Sequence, residues 1–235
     1  MERLKICTWN IGSSYKNNTF CNVVEELKEI SPDVLCIQEM MNEKEYIDTI
    51  INEVKLNLLE YRCLSPSPYW PEKKMGIALF SNLRKNSADF LHIPAPDLNF
   101  EYDGKIEFIH DKGFIFCEFD DFSIITGHFF PFYRYNLNDY DFREYYHNLD
   151  KWMSKKIENN GSIIIAADFN SNYSRDLLSK SLSCLDCAID GITRPIHRGG
   201  DCIYFDKKFQ LREAHNLFRK EDHHVCYAIF EMCAI

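Results

Sequence analysis

The chain has 235 residues, 46% hydrophobic and 14% aromatic, with a formal net charge of −9. This excludes an intrinsically disordered chain and a strongly basic nucleic-acid module, and it supplies apolar side chains for a sizeable core. An acidic chain can still act on a phosphate if a divalent cation brings positive charge to it, with a weak, salt-sensitive hold on any polynucleotide. The sequence contains ten cysteines, a count that in a small secreted chain would suggest a disulfide scaffold. Here the length does not call for staples, and Met1-Glu2-Arg3 runs straight into Leu4-Lys5-Ile6 without a secretory signal. Cys7, Cys36, Cys117 and Cys226 lie inside apolar runs, so reduced thiols in a cytoplasmic or nuclear protein are expected. No apolar stretch approaches the ~20 residues of a membrane span.

The apolar pattern predicts alternating strands and helices in one domain over 1–235, without repeat or linker. Leu4 to Trp9 reads as a strand. Val23, Val24, Leu27 and Ile30 have helical spacing, and Ser31-Pro32 stops that helix. Val34 to Ile37 is a short strand, and Glu43 to Val54 carries Tyr46, Ile47, Ile50, Ile51 and Val54 on one helical face. Met75 to Phe80 is a strand, and Ile115 to Phe119 and Phe122 to Thr126 flank Asp120-Asp121 as a hairpin. Tyr145, Leu149, Trp152, Met153 and Lys156 mark a helix that buries Leu149, Trp152 and Met153. Ile163 to Ala167 is a strand buried on both faces, and Ser174 is the expected N-cap of a helix that starts there. Cys202 to Phe205 and Val225 to Phe230 complete the series. Helices interleaved with strands, together with hairpins, predict an α/β four-layered sandwich of two mixed β-sheets face to face with helices on the outside.

Two segments fit no regular element. Ser65 to Lys74 holds Tyr69 and Trp70 among prolines, and Phe129 to Phe142 is rich in Phe and Tyr, with Arg134. Each is either a loop over its own small apolar cluster or a rim on which a base or lipid packs. In the second case Tyr69, Trp70 and Arg134 bind substrate.

The chemistry sits at strand ends. Thr8-Trp9-Asn10, Gln38-Glu39, His128, Asp168-Phe169-Asn170, Asp201 and Asp222-His223 each close or open an apolar strand, where turn residues are the rule. Glu39 and Asn10 offer hard oxygen ligands suited to Mg²⁺ or Mn²⁺. Taken singly, Asn10 reads equally as a turn residue and Glu39 as a helix-leading acid. Asp168 follows Ile-Ile-Ile-Ala-Ala, where a carboxylate is costly unless it meets a cation or donor; it can polarise a water, or cap the strand end. Asn170 can hold a phosphate oxygen, as can His128. His223 can donate a proton or stabilise developing charge if Asp201 orients it. A lone histidine is more often structural. His224 faces the other way on a strand and receives no role. Cys184-x-x-Cys187 lacks the second pair that a structural zinc needs.

In this order these motifs resemble the endonuclease/exonuclease/phosphatase superfamily, the deoxyribonuclease I-like fold. The matching stretches are Ile6-Cys7-Thr8-Trp9-Asn10, Pro32 to Glu39, Gly76 to Ser81, Thr126-Gly127-His128, Ala167-Asp168-Phe169-Asn170, Asp201 to Phe205 and Asp222-His223. The resemblance implies Mg²⁺ or Mn²⁺ held mainly by Glu39, with Asn10 and Asp222 assisting. It implies Asp168 orienting water, Asn170 and His128 holding the scissile phosphate, and His223, oriented by Asp201, stabilising the transition state. Three positions depart from the family's pattern: Ala167 replaces a glycine, Glu221 a serine, and Gly199 an arginine, with Arg198 one residue further back. His128 argues against the abasic-site endonuclease branch. Thr8-Trp9-Asn10 and Arg175, a further substrate-binding candidate, are similar to the tyrosyl-DNA phosphodiesterase branch. The expected activity is metal-dependent hydrolysis of nucleic acid, as a nuclease or DNA-end-processing phosphodiesterase. The alternatives are a phosphatase or sphingomyelinase-type phosphoesterase, and an inactive binding module. No obligate protein partner is inferred.

Overall fold

The continuous apolar runs of this sequence become strands with neighbours on both sides. In the computed structural model, residues 3–66, 72–102, 104–189, 200–217 and 223–233 are described. Strand β1 (Leu4–Asn10) leads through a short helix, α1 (Gly12–Lys16), into α2 (Phe20–Ile30). Helix α2 buries Phe20, Val23, Val24, Leu27 and Ile30, and it stops where Ser31 turns left-handed at φ 51° ahead of Pro32. Then come β2 (Val34–Met41), α3 (Lys44–Thr49) continuing as a wider π turn over Ile50–Val54, β3 (Leu58–Pro66), β4 (Lys74–Ser81) and β5 (Lys85–Ile93). A small hairpin, β6 (Asn99–Tyr102) and β7 (Lys105–Phe108), precedes β8 (Lys112–Phe119) and β9 (Ser123–His128). Two 3-10 turns, Phe132–Tyr135 and Asp139–Phe142, lead into α4 (Arg143–Asn159). The chain continues through β10 (Ile163–Asp168), α5 (Ser174–Leu177), α6 (Ser179–Leu182), β11 (Asp186–Ile189), β12 (Asp201–Phe205), β13 (Phe209–Leu217) and β14 (Val225–Met232).

Two six-stranded mixed sheets result, ordered β13-β14-β1-β2-β4-β3 and β11-β12-β10-β9-β8-β5. Leu4, Ile6, Val34, Leu79, Ile115, Ile124, Ile164, Ile203 and Phe230 fill the space between them. The first sheet's outer face buries Trp9, Leu35 and Ile37 against Val23, Leu27 and Ile50 of the helical layer. The second sheet's outer face packs Phe114, Ile125 and Ile165 against Leu149 and Met153 of α4. This is the four-layered sandwich that the sequence predicts, and its middle is apolar because every inner strand is covered on both faces.

Two local expectations change. Ser174 is the first residue of α5 rather than its cap; the cap position falls at Tyr173, and the turn before it is closed by the Ser171 hydroxyl, which accepts the Tyr173 N–H at 3.0 Å. Trp152 is only partly buried, with the Lys156 ammonium 5.6 Å from its ring centre. Of the two readings of the aromatic 129–142 segment, Phe129, Phe130 and Phe132 follow the first: they are fully buried against Tyr146 and α4 as an apolar cluster, while Tyr133 and Tyr140 stay part-exposed. All ten cysteines are free thiols. Burial raises the Cys36 thiol to about 12 and holds it protonated. Among the described residues no helix is long and apolar enough to cross a membrane.

Candidate active site

Each sheet has one parallel strand pair at its centre, β1 with β2 and β9 with β10. The C-terminal ends of these pairs deliver Asn10, Glu39, His128 and Asp168 to one rim. The antiparallel neighbours enter from the same side: Asp201 opens β12 opposite Asp168, and His223 precedes β14. Beneath the rim, Gln38 Nε2 donates to Thr8 Oγ1 at 3.1 Å and to Thr126 Oγ1 at 3.3 Å, bonding the two sheets across a buried gap.

Asp168 is the hub and is 0% exposed. Its Oδ2 accepts from Asn10 Nδ2 at 2.9 Å, and its Oδ1 accepts from the Asn170 backbone N–H at 2.8 Å. The same Oδ2 lies 3.7 Å from His128 Nε2 and 3.7 Å from His223 Nδ1. Burial first, and the charge of Asp201 second, push the Asp168 carboxyl up to about 7; His223 and the two donors pull the other way.

The imidazoles are oriented by their partners. His223 Nδ1 lies 2.8 Å from Asp201 Oδ2, and a carboxylate only accepts, so Nδ1 carries a proton and Nε2 is left for chemistry. His224 points elsewhere, with its Nδ1 2.6 Å from Asn216 Oδ1. His128 Nδ1 lies 3.1 Å from Lys112 Nζ. An ammonium only donates, so that contact places the ring proton on Nε2, which faces Glu39 Oε1 at 3.7 Å and Asp168. Lys112 escapes the sequence reading, which starts its strand at Ile115. The signal available was the charged Asp111-Lys112 pair at the mouth of an apolar run. Tyr133 also escapes it; its hydroxyl reaches Asn170 Oδ1 at 3.5 Å, and Asn170 Nδ2 donates to Phe129 O at 2.9 Å.

Glu39 and Asn170 both adopt left-handed backbone, at φ 57° and 53°. Asparagine tolerates this, whereas a glutamate pays roughly 1–2 kcal/mol, so the fold must hold Glu39 there. The Glu39 carboxylate, 19% exposed, stands over Gly12. A Cβ on Gly12 would lie 1.8 Å from Glu39 Oε2 and 3.4 Å from Asn10 Oδ1. The bare glycine therefore lets the Glu39 carboxylate close in beside Asn10 Oδ1, which also accepts the Gly12 N–H at 3.1 Å, and two hard oxygens set side by side fit a Mg²⁺-like ion that keeps several waters. A second group, Asp168, Asp201 and His223, has ligand atoms within 4.8 Å of one another. All three are buried, whereas the Glu39 side chain opens to solvent, so the Glu39–Asn10 pair is the better fit for an ion that keeps waters.

Of the other candidates, Arg175 is exposed on α5, and Arg134 is half-buried in the turn that carries Tyr133. Asp222, Tyr69 and Trp70 lie outside the described residues, as do Arg198, Gly199 and Glu221. Cys184 is exposed and Cys187 half-buried; both are free.

This layered α/β sandwich is the fold of a superfamily whose members are hydrolases acting on phosphoester bonds. The sequence matches the Endonuclease/Exonuclease/phosphatase family over residues 7–225, and the chain belongs to that family. No curated protein matches it. The fold is similar to the human Nocturnin catalytic domain with bound sulfate anion, at TM-score 0.70 and 17% identity, covering 98% of this chain and 94% of that one. A D. rerio TDP2 humanized by 14 mutations superposes at TM-score 0.58 and 14% identity, covering 98% and 99%. A Bacteroides thetaiotaomicron mannosyl-6-phosphatase gives 0.63 and 11%, covering 97% and 99%. At these identities the likeness is one of fold.

Proposed function

We propose that the chain is a Mg²⁺- or Mn²⁺-dependent phosphodiesterase that cleaves nucleic acid, or an adduct at its end, by in-line attack of water. The observation that carries this reading is the meeting of Glu39, Asn10, Asp168, His128 and His223, from both sheets, at one rim. Glu39 and Asn10 hold the cation, with Asp222 assisting. When bound, the cation supplies positive charge against the charge that develops on the phosphate. Asp168 orients the attacking water and takes its proton. His128, through Nε2–H, and Asn170 grip the non-bridging phosphate oxygens, and Lys112 adds a cation behind His128. His223 meets the leaving oxygen through Nε2 while Asp201 balances its charge.

A polynucleotide is favoured over a small ester by Tyr173. It is 51% exposed, three residues past Asn170, and its ring centre lies 5.3 Å from that of Tyr140. An exposed ring so close in the chain to Asn170 offers a base a face to stack on. The smaller-ester reading, with a phosphatase or sphingomyelinase-type substrate, rests on the net charge of −9, which repels a polyanion away from the site.

The test is a Mg²⁺ and Mn²⁺ assay on single- and double-stranded DNA and RNA, alongside inositol phosphates and sphingomyelin. Cleavage of a nucleic acid, lost in EDTA, is expected. Release of phosphate or phosphocholine without any strand cleavage would select the other reading. Within the same assay, His223→Ala should slow hydrolysis by about 10²–10⁴-fold, the range of a general acid, and His224→Ala by less than about threefold. Equal losses would assign the role to the wrong histidine.

A further inference from the structure

The Glu39 carboxylate depends on a fault in its own strand. Ile37 pairs with Ala78 and Met40 with Gly76, so Gln38 and Glu39 together stand opposite Ile77. This is a β-bulge, and Glu39 is its left-handed residue. On the other side of β2 the last β1 pair is Asn10 with Gln38, followed by the Ile11 N–H bonded to Gln38 O at 3.0 Å. Past that point β2 has lost its neighbour on that side.

Two tyrosine hydroxyls bond the strand here, while Met40 and Met41 stay paired with Gly76 and Met75 of β4. The Met41 N–H donates to Tyr15 OH at 3.1 Å, and Tyr61 OH donates to Met40 O at 3.0 Å. The Met40 carbonyl and the Met41 N–H are the two ends of one planar peptide, and they point in opposite directions. One peptide plane is thus gripped from both sides, directly after Glu39. Tyr15 also donates to Met40 Sδ at 3.4 Å, and its ring is wedged between Phe20 at 5.7 Å and Tyr46 at 4.5 Å. Burial keeps both hydroxyls protonated by raising them above the ordinary tyrosine range. The two rings come from opposite flanks of the strand, Tyr15 from α1 and Tyr61 from β3.

We infer that Tyr15 and Tyr61 are positioning residues for the cation site. They lock the peptide at which β2 resumes, and so hold Glu39 in the left-handed turn that aims its carboxylate over Gly12, without touching cation or substrate themselves. The inference rests on the proposed role of Glu39. Supporting residues of this kind around a metal site are typically worth about 10–100-fold in affinity.

The test is Mn²⁺ binding to the purified protein, followed by calorimetry and by the electron paramagnetic resonance signal of free Mn²⁺. Wild type, Tyr15→Phe, Tyr61→Phe, Tyr46→Phe and Glu39→Gln are compared, each checked for folding by circular dichroism. Tyr15→Phe and Tyr61→Phe should each weaken Mn²⁺ binding by about tenfold, with kcat at saturating Mn²⁺ recovering to within about threefold of wild type. Tyr46→Phe, which leaves the ring contact and removes a hydroxyl that does not reach the bulge, should bind as wild type. If Tyr15→Phe does not fold, Tyr61→Phe decides, since its ring lies on a half-exposed edge strand. Wild-type affinity in a folded Tyr61→Phe, with Glu39→Gln weakened, overturns this inference alone. Wild-type affinity in Glu39→Gln overturns the cation reading beneath it.

Discussion

Asp168→Asn should abolish hydrolysis, by about 10³-fold or more in kcat/KM, while leaving the fold as stable as wild type or more so in EDTA. The two halves of this result have one cause. Asp168 is wholly buried, and both burial and Asp201 raise its carboxyl, to about 7. A carboxyl raised in the folded state binds its proton more tightly there than in the unfolded chain, so the ionised form weakens the fold. Without a cation, wild type should therefore gain stability as pH falls from about 7 toward the ordinary carboxylate range, and the Asp168→Asn variant should not. The amide does leave one of its NH₂ hydrogens facing the Asn10 or Asn170 donor, at a cost of about 1–3 kcal/mol, which offsets part of the relief. Turnover assays and thermal melts in EDTA across pH check both halves. Activity within tenfold of wild type would remove Asp168 from the chemistry. Activity and melting temperature falling together would make it a structural residue.

The same burial logic explains which strands can be read from the sequence. The eight strands visible as apolar runs are β1, β2, β4, β8, β9, β10, β12 and β14, and each has a neighbour on both sides. The edges, β3, β5, β11 and β13, are invisible to that reading. Leu58–Pro66 is intermediate almost throughout, and Phe209–Leu217 exposes most of its side chains, because an edge strand faces water and carries charge such as Glu60, Arg212 and Glu213. Segments of this kind look like polar loops until a partner is in place.

The rim divides along similar lines. A carboxylate, amide or imidazole that ends an apolar strand contradicts its surroundings, so Asn10, Asp168, His128 and Asp201 stand out in one dimension. His223 and His224 both stand just before β14 and turn to different partners, Asp201 and Asn216. Lys112 does not stand out, since a lysine before a strand is ordinary and its value lies in reaching His128. The grip on Glu39 is also hidden. The apolar run suggests a strand ending at Ile37, whereas β2 runs on to Met41 through a bulge whose bonds come from Tyr15 and Tyr61, residues distant in sequence. Tertiary hydrogen bonds of that sort leave no local pattern.

Glu39→Gln decides where the cation sits. Glutamine keeps the length and shape of the side chain and the strain at φ 57°, and it removes only the charge. It should fold as wild type, because the carboxylate is part-exposed and no core contact is lost. Mn²⁺ affinity should fall by about 100-fold, and kcat/KM at low Mg²⁺ by about 10³-fold, since Glu39 is the main charged ligand in the proposed site, beside an amide oxygen, waters and the assisting Asp222. Rising Mg²⁺ should restore part of the rate, as expected when binding is the main loss. The rival position, between Asp168, Asp201 and His223, makes the opposite forecast. There Glu39→Gln would leave Mn²⁺ binding intact, and Asp201→Asn would abolish it. With the cation over Gly12, Asp201→Asn should spare Mn²⁺ binding and act on the rate through His223, which would lose the carboxylate charge that fixes its proton on Nδ1 and balances the imidazolium. Titrating Mn²⁺ into the two variants separates the positions without recourse to any substrate.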